Sequence, residues 1–163
     1  MDGHKYTALF EAPGGEPVLK VYPDPKTKSA PWTVGIGHTG PDVKQGETWT
    51  EDRCWHAFYN DYGQAQLQAS HIVGSLCWSR LNEPRQAVLT DMAFQMGGGG
   101  LSDFRHMLAS INAGNWPLAA HHMLDSDYAR QLKELQSDKS EKTRAEINAQ
   151  TLETGEWPVD HSA

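Results

Sequence analysis

The sequence has little of what staples or anchors a small protein. Its 2 cysteines, Cys54 and Cys77, form no CxxC pair and stand at no Cys/His ligand spacing. Free, reduced thiols are therefore expected rather than a disulfide framework. No apolar run approaches the roughly 18 residues that span a bilayer, which argues against membrane insertion. The stretch MDGHKYTALFE at the amino end lacks the basic start and apolar centre of a signal peptide, so the expectation is a soluble chain outside the general secretory route. Basic residues are scarce: 14 Lys and Arg stand against 21 Asp and Glu, for a formal net charge of -7. That balance removes the positive footprint of a nucleic-acid binder. The 8 histidines contain no HExxH, and the adjacent His121–His122 would point to different sides of a helix. No metal site is expected.

What is present fits one domain, or two lobes sharing a core. At 163 residues the chain can bury roughly 70% of its unfolded surface and needs no staple. Mean hydropathy is -0.63, polar for a globular chain, yet 6 Trp, 5 Tyr and 4 Phe are too many for a disordered one. The few basic residues cluster as Lys133, Lys139, Lys142 and Arg144, and as Lys20, Lys26 and Lys28. They read either as a solvated helix face and a loop, or as contacts for a polyanionic substrate.

Periodicity predicts a short helix over residues 2–11, closed by Pro13-Gly14-Gly15 with Glu11 in its last turn. Strands are predicted over 18–22 and 32–38, forming a small antiparallel sheet. From Thr50, a plausible N-cap, a long amphipathic helix uses Trp55, Phe58, Tyr62, Ala65, Ala69, Ile72 and Leu76. A second helix opens at Asn82-Glu83-Pro84, buries Val88, Leu89, Met92 and Met96, and stops at the run Gly97–Gly100. That run is a helix stop by composition and a hinge by conjecture. Ser102 is read as the cap of a further helix through Ile111, Asn115-Trp116-Pro117 opens another, and the rest is helical to Thr154 with an interruption near Ser137-Asp138-Lys139-Ser140. The predicted architecture is a single α+β domain. It has a small sheet lobe over about 12–50, a connecting helix over about 50–76, and a helical lobe over about 82–157 packed with helix 2–11. A cleft between the lobes is the expected binding site.

Glu11 and Asp24 stand on different elements that the intervening loop folds together. Two carboxyls in different surroundings can hold different protonation states, which is what glycosidic cleavage requires. Among 21 acids such a pair is a weak signal alone. The letters around it carry more. Glu11, then Leu19 to Asp24, then WTVGIGHTG over 32–40, and the block RQAVLTDMAFQMG over 85–97 resemble phage lysozymes of the T-even type, the family-24 glycoside hydrolases. Phe104, the stretch NAGNW over 112–116, Thr143-Arg144-Ala145-Glu146 and Thr154 to Trp157 continue the resemblance along nearly the whole chain.

The resemblance implies a lysozyme-like fold and a muramidase without cofactor, which hydrolyses the β-1,4 bond between N-acetylmuramic acid and N-acetylglucosamine. Glu11 matches the general acid, Asp24 the carboxylate facing the attacking water, and Thr33 the hydroxyl that helps hold that water. Arg144 matches an arginine that contacts the catalytic Glu. Phe94, Gln95, Phe104 and Arg144 would meet the sugar chain, and His38 would pair with Asp61 as a structural tie. Inversion is expected, with the carboxyls roughly 6.5–9.5 Å apart. The partner would be bacterial peptidoglycan, reached by a monomer from the host cytoplasm after a holin opens the membrane.

The chain departs from the family in APGGEP after Glu11, in the insertion over 25–31, and between Tyr128 and Thr143. Glu16 thereby offers a second carboxylate nearer in sequence to Asp24. Glu11 is preferred because it ends a helix, while Glu16 sits in a Gly-Pro loop. Trp32, Trp49 and Trp55 are candidates for sugar stacking, with core packing favoured for Trp55 on its apolar helix face. The alternatives are a non-cleaving peptidoglycan-binding module and a lytic transglycosylase.

Overall fold

A computed structural model describes residues 1–12, 14–23, 28–138 and 140–158. Its elements run α1 (Gly3–Glu11), β1 (Val18–Pro23), β2 (Trp32–Gly35), β3 (His38–Thr39), α2 (Glu51–Val73), α3 (Ser75–Trp78), α4 (Glu83–Ser102), α5 (Arg105–Asn112), α6 (Trp116–Leu124), α7 (Asp127–Leu135) and α8 (Arg144–Thr154). The chain is α+β. Contacts divide it into two compact units, His4–Gln64, and Ala65–Ala163 with Met1–Gly3.

The first unit contains the sheet, in the order β1-β2-β3. Tyr22 lies opposite Thr33 and Pro23 opposite Trp32, while Thr33 and Val34 of β2 face Thr39 and His38 of β3. The stretch 32–38, expected as one strand, is thus a hairpin. Gly35 and Gly37 take φ of 67° and 77°, a left-handed backbone that turns the chain back and strains any residue with a Cβ. Strand alternation sends Val21 and Val34 to one face, where they pack with Val43, Trp49 and Cys54. Tyr22 and Thr33, one step along each strand, point to the other face.

Helix α2 starts as its letters demand. Thr50 Oγ1 accepts from the Arg53 amide at 3.3 Å, and Glu51 and Asp52 occupy the positive end of the dipole. Its buried face runs Cys54, Phe58, Tyr62, Ala65, Ala69 and Val73. The expected continuation to Leu76 is corrected: the helix ends at Val73, and Leu76 is 69% exposed in α3.

In the second unit, the Asn82 side chain accepts from the Arg85 amide at 3.4 Å and caps α4. Val88, Leu89 and Met92 are buried as predicted, but Met96 is only half-buried. The glycine run interrupts α4 rather than ending it. Gly97 alone leaves helical geometry (φ 74°, ψ 167°), and helix resumes to Ser102. That ψ with positive φ is open essentially to glycine alone. Ser102 does not cap α5, because its hydroxyl donates to Gly99 O at 2.7 Å within its own turn. Thr143 and Glu146 form a capping box that starts α8. Helices α5, α6 and α8 pack together over Met107, Ile111, Ala119, Met123 and Leu152. Arg85 ties the start of α4 to the end of α8, donating to Leu152 O at 2.9 Å and Glu153 O at 3.0 Å while lying 3.8 Å from the centre of the Trp116 ring. Among the described residues, no helix is long and apolar enough to cross a membrane.

Candidate active site

The first unit brings the helix-ending acid to the polar face of the sheet. Glu11 is half-buried at the last turn of α1. Its Oε2 lies 3.6 Å from the point where a Cβ on Gly37 would stand, which places the carboxyl beside the hairpin tip. Burial and then the charge of Glu11 hold the Tyr22 hydroxyl above its ordinary pKa. Tyr22 is thus within electrostatic reach of the acid. Thr33, paired with Tyr22 across the β1–β2 ladder, presents its hydroxyl on the same face. The half-buried carboxyl and the phenol thus sit within reach of one another, and strand pairing sets Thr33 next to the phenol. Glu16 is exposed in the loop before β1. Asp24 lies outside the described residues, as do Lys26 and Lys139 of the basic groups.

His38 follows the hairpin tip as the first residue of β3. Its Nδ1 is 2.6 Å from Asp61 Oδ2, and its Nε2 is 3.3 Å from Asp42 Oδ1. Burial works to lower the imidazole pKa, but the hydrogen bond and charge of Asp61, aided by Asp42, outweigh it and the net shift is upward. The pair is a tie between β3 and α2.

In the second unit, Arg144 is only 11% exposed and holds Asp91, which has no exposure at all. Arg144 Nε donates to Asp91 Oδ2 at 3.0 Å and Nη2 donates to Oδ1 at 2.7 Å, a bidentate fork. Asn148 Nδ2 adds a third donor to Asp91 Oδ2 at 3.0 Å. The Asn148 amide also reaches the Tyr128 hydroxyl at 3.5 Å, and that hydroxyl donates to Gln95 Oε1 at 3.0 Å. Tyr128 meets Phe104 edge to face, with ring centres 5.9 Å apart. Gln95, Phe104 and Arg144 are therefore joined through Asp91 and Tyr128. Phe94 is half-buried one residue before Gln95. Phe104 and Tyr128 also line a hollow of about 600 Å³ together with Asp103, His106, His122 and Asp125.

Asp91 and Tyr128 were not singled out in the sequence. Asp91 left a usable signal, since it falls between Val88 and Met92 on the stripe that packs inward. An acid placed there must be paired or neutral. Tyr128 left none.

The fold and these residues define an α+β protein of the lysozyme-like class. A profile of the phage lysozyme family matches residues 16–145, and the chain belongs to that family. Thr33, His38, Asp61, Asp91 and Arg144 lie within the match, while Glu11 precedes it. The chain is also 39% identical over 70 residues to the pre-baseplate central spike protein Gp5 of Enterobacteria phage T4. That alignment takes in 43% of this chain and 12% of the relative, so the chain spans only a small part of the relative's length.

Proposed function

We propose that the protein is a muramidase of the T-even type that acts as an endolysin, hydrolysing the β-1,4 bond between N-acetylmuramic acid and N-acetylglucosamine of peptidoglycan. The observation that carries this reading is the half-buried Glu11 carboxyl set against Gly37 and Tyr22, on the face that Thr33 shares, in a chain of the phage lysozyme family. Glu11 protonates the leaving oxygen. Asp24 and Thr33 hold the attacking water on the opposite sugar face, and the product is inverted. Glu11 is favoured over Glu16 because it is half-buried at the end of α1 beside Gly37, whereas Glu16 is exposed in the loop before β1. Phe94, Gln95, Phe104 and Arg144 take the sugar chain, with the last three held by the Asp91–Tyr128 network. No cofactor takes part. The protein works as a monomer that gathers in the host cytoplasm and reaches the wall after a holin opens the membrane.

Glu11→Gln is expected to lower clearing of a wall suspension by about 100-fold or more, the range that general acid catalysis supplies. Activity within a few-fold of the unsubstituted chain overturns the assignment, and a dead Glu16→Gln with an active Glu11→Gln moves the role to Glu16. Mass spectrometry of the digest separates the alternatives. New reducing ends mark hydrolysis, 1,6-anhydro ends mark a lytic transglycosylase, and sacculi bound without new ends mark a binding module.

The match to a baseplate spike protein favours a second reading, in which the same cleavage serves a larger virion assembly. Detection of the chain in purified virions rather than only in lysates distinguishes the two.

A further inference from the structure

On the solvent side of α2, four side chains line a shallow, open hollow of about 200 Å³: Asp52, Trp55, His56 and Tyr59. Trp55 was expected in the core, yet it is only half-buried and stands at the rim of this hollow. The other two tryptophans considered for stacking are spoken for. Trp49 is 3% exposed, donates its Nε1–H to Glu47 at 3.2 Å and lies under the Arg53 guanidinium. Trp32 packs on the valine cluster of the sheet.

Trp55 and Tyr59 lie one helical turn apart, with ring centres 6.1 Å apart and planes tilted by 31°. They make a two-ring step open to solvent, where Tyr59 is 49% exposed. Neither ring is loose. Trp55 meets the buried Phe58 edge to face at 5.8 Å, and Tyr59 meets His4 edge to face at 5.1 Å. Exposed aromatic area held in place by other rings has little rotamer freedom left to lose on binding. At the edge of the step stand a carboxylate and an imidazole, Asp52 and His56, both exposed.

We propose that this step is a second saccharide site, apart from the candidate active site. It takes two adjacent residues of a β-1,4-linked N-acetylhexosamine chain. The apolar C–H face of each pyranose stacks on one ring, and Asp52 and His56 meet the hydroxyls at the sugar edge. The identity of the glycan rests on the proposed muramidase reading. The charge balance gives the site a purpose. At -7 the protein is repelled by a wall rich in anions, so retention must come from contacts that do not depend on charge.

The test uses the full chain carrying Glu11→Gln, with purified sacculi as the probe, in a sedimentation assay. Trp55→Ala with Tyr59→Ala is expected to lower retention at least about fivefold, as for losing stacked aromatic area. Retention by the parent is expected to hold between about 0.05 and about 0.5 M NaCl. In the chain with Glu11 intact, the same pair of substitutions leaves hydrolysis of a soluble glycan tetramer within about twofold, since the step lies outside the catalytic groups. Tyr59→Ser, at a half-exposed position, serves as the second variant and must lower retention without lowering the melting temperature. Unchanged retention in both variants overturns the proposal, as does a loss that appears only alongside a lowered melting temperature. A chain that cleaves no peptidoglycan but still needs Trp55 and Tyr59 to sediment sinks the muramidase reading and leaves the saccharide site standing.

Discussion

Asp91 and Gly37 show what a single side chain, or its absence, controls. Asp91 sits without solvent in α4 and is satisfied by two donors from Arg144 and one from Asn148. Removing one partner leaves a buried charge uncompensated, which costs about 3–5 kcal/mol. Arg144→Leu is therefore expected to lose stability of that order in urea unfolding. Replacing Asp91 and Arg144 together by apolar residues of similar size is expected to cost much less than the single change, because the charge leaves with its partner. Gly37 acts through its backbone, held at a φ of 77°. Gly37→Ala puts a methyl group in a left-handed backbone, at a cost of about 1–3 kcal/mol, and sets it 3.6 Å from Glu11 Oε2. Because the strain falls on the turn beside Glu11, wall clearing by Gly37→Ala is expected to fall together with its stability, as measured by turbidity and thermal melting in parallel.

The His38–Asp61 contact couples the hairpin to α2, and its strength follows pH. The imidazole pKa is raised in the folded chain, so folding favours the protonated form. The resulting stabilisation is complete below the unfolded value of about 6.5 and is lost as pH rises through the folded value. Melting temperature is thus expected to include a component that declines as pH rises from about 6.5 through the folded value. In Asp61→Asn that component shrinks, which calorimetry at stepped pH will show; an unaltered slope contradicts the account. Much of this level of structure was legible in the letters. Thr50, Asn82 with Pro84, Asn115 with Pro117, and Thr143 with Glu146 marked helix starts by chemistry that acts within one turn. The β2–β3 hairpin and the break at Gly97 were not legible. Glycine permits a turn without requiring one, and nearby packing decides which glycine in a run takes it. Likewise the buried face of α2 ends on Val73 rather than Leu76, since the helix stops before the periodic pattern does.

Across the whole chain, the division of labour in the site is uneven. Glu11, Thr33 and the His38–Asp61 pair came from motifs close together in sequence, and the first unit assembles them locally. The second unit's network joins residues 91, 95, 104, 128, 144 and 148, drawn from four helices or their caps. No local pattern announces such a set, because only tertiary packing makes Asp91 meet Arg144. The buried acid has a consequence for motion as well. Helix α8 cannot peel away by itself, since lifting it strips Asp91 of all three donors and strands a bare carboxylate inside α4. Fraying at this end of the chain is thereby converted into an all-or-none event. In native-state hydrogen exchange, the central amides of α8 are expected to open with the same free energy as those of α4, and Asp91→Asn should uncouple the two.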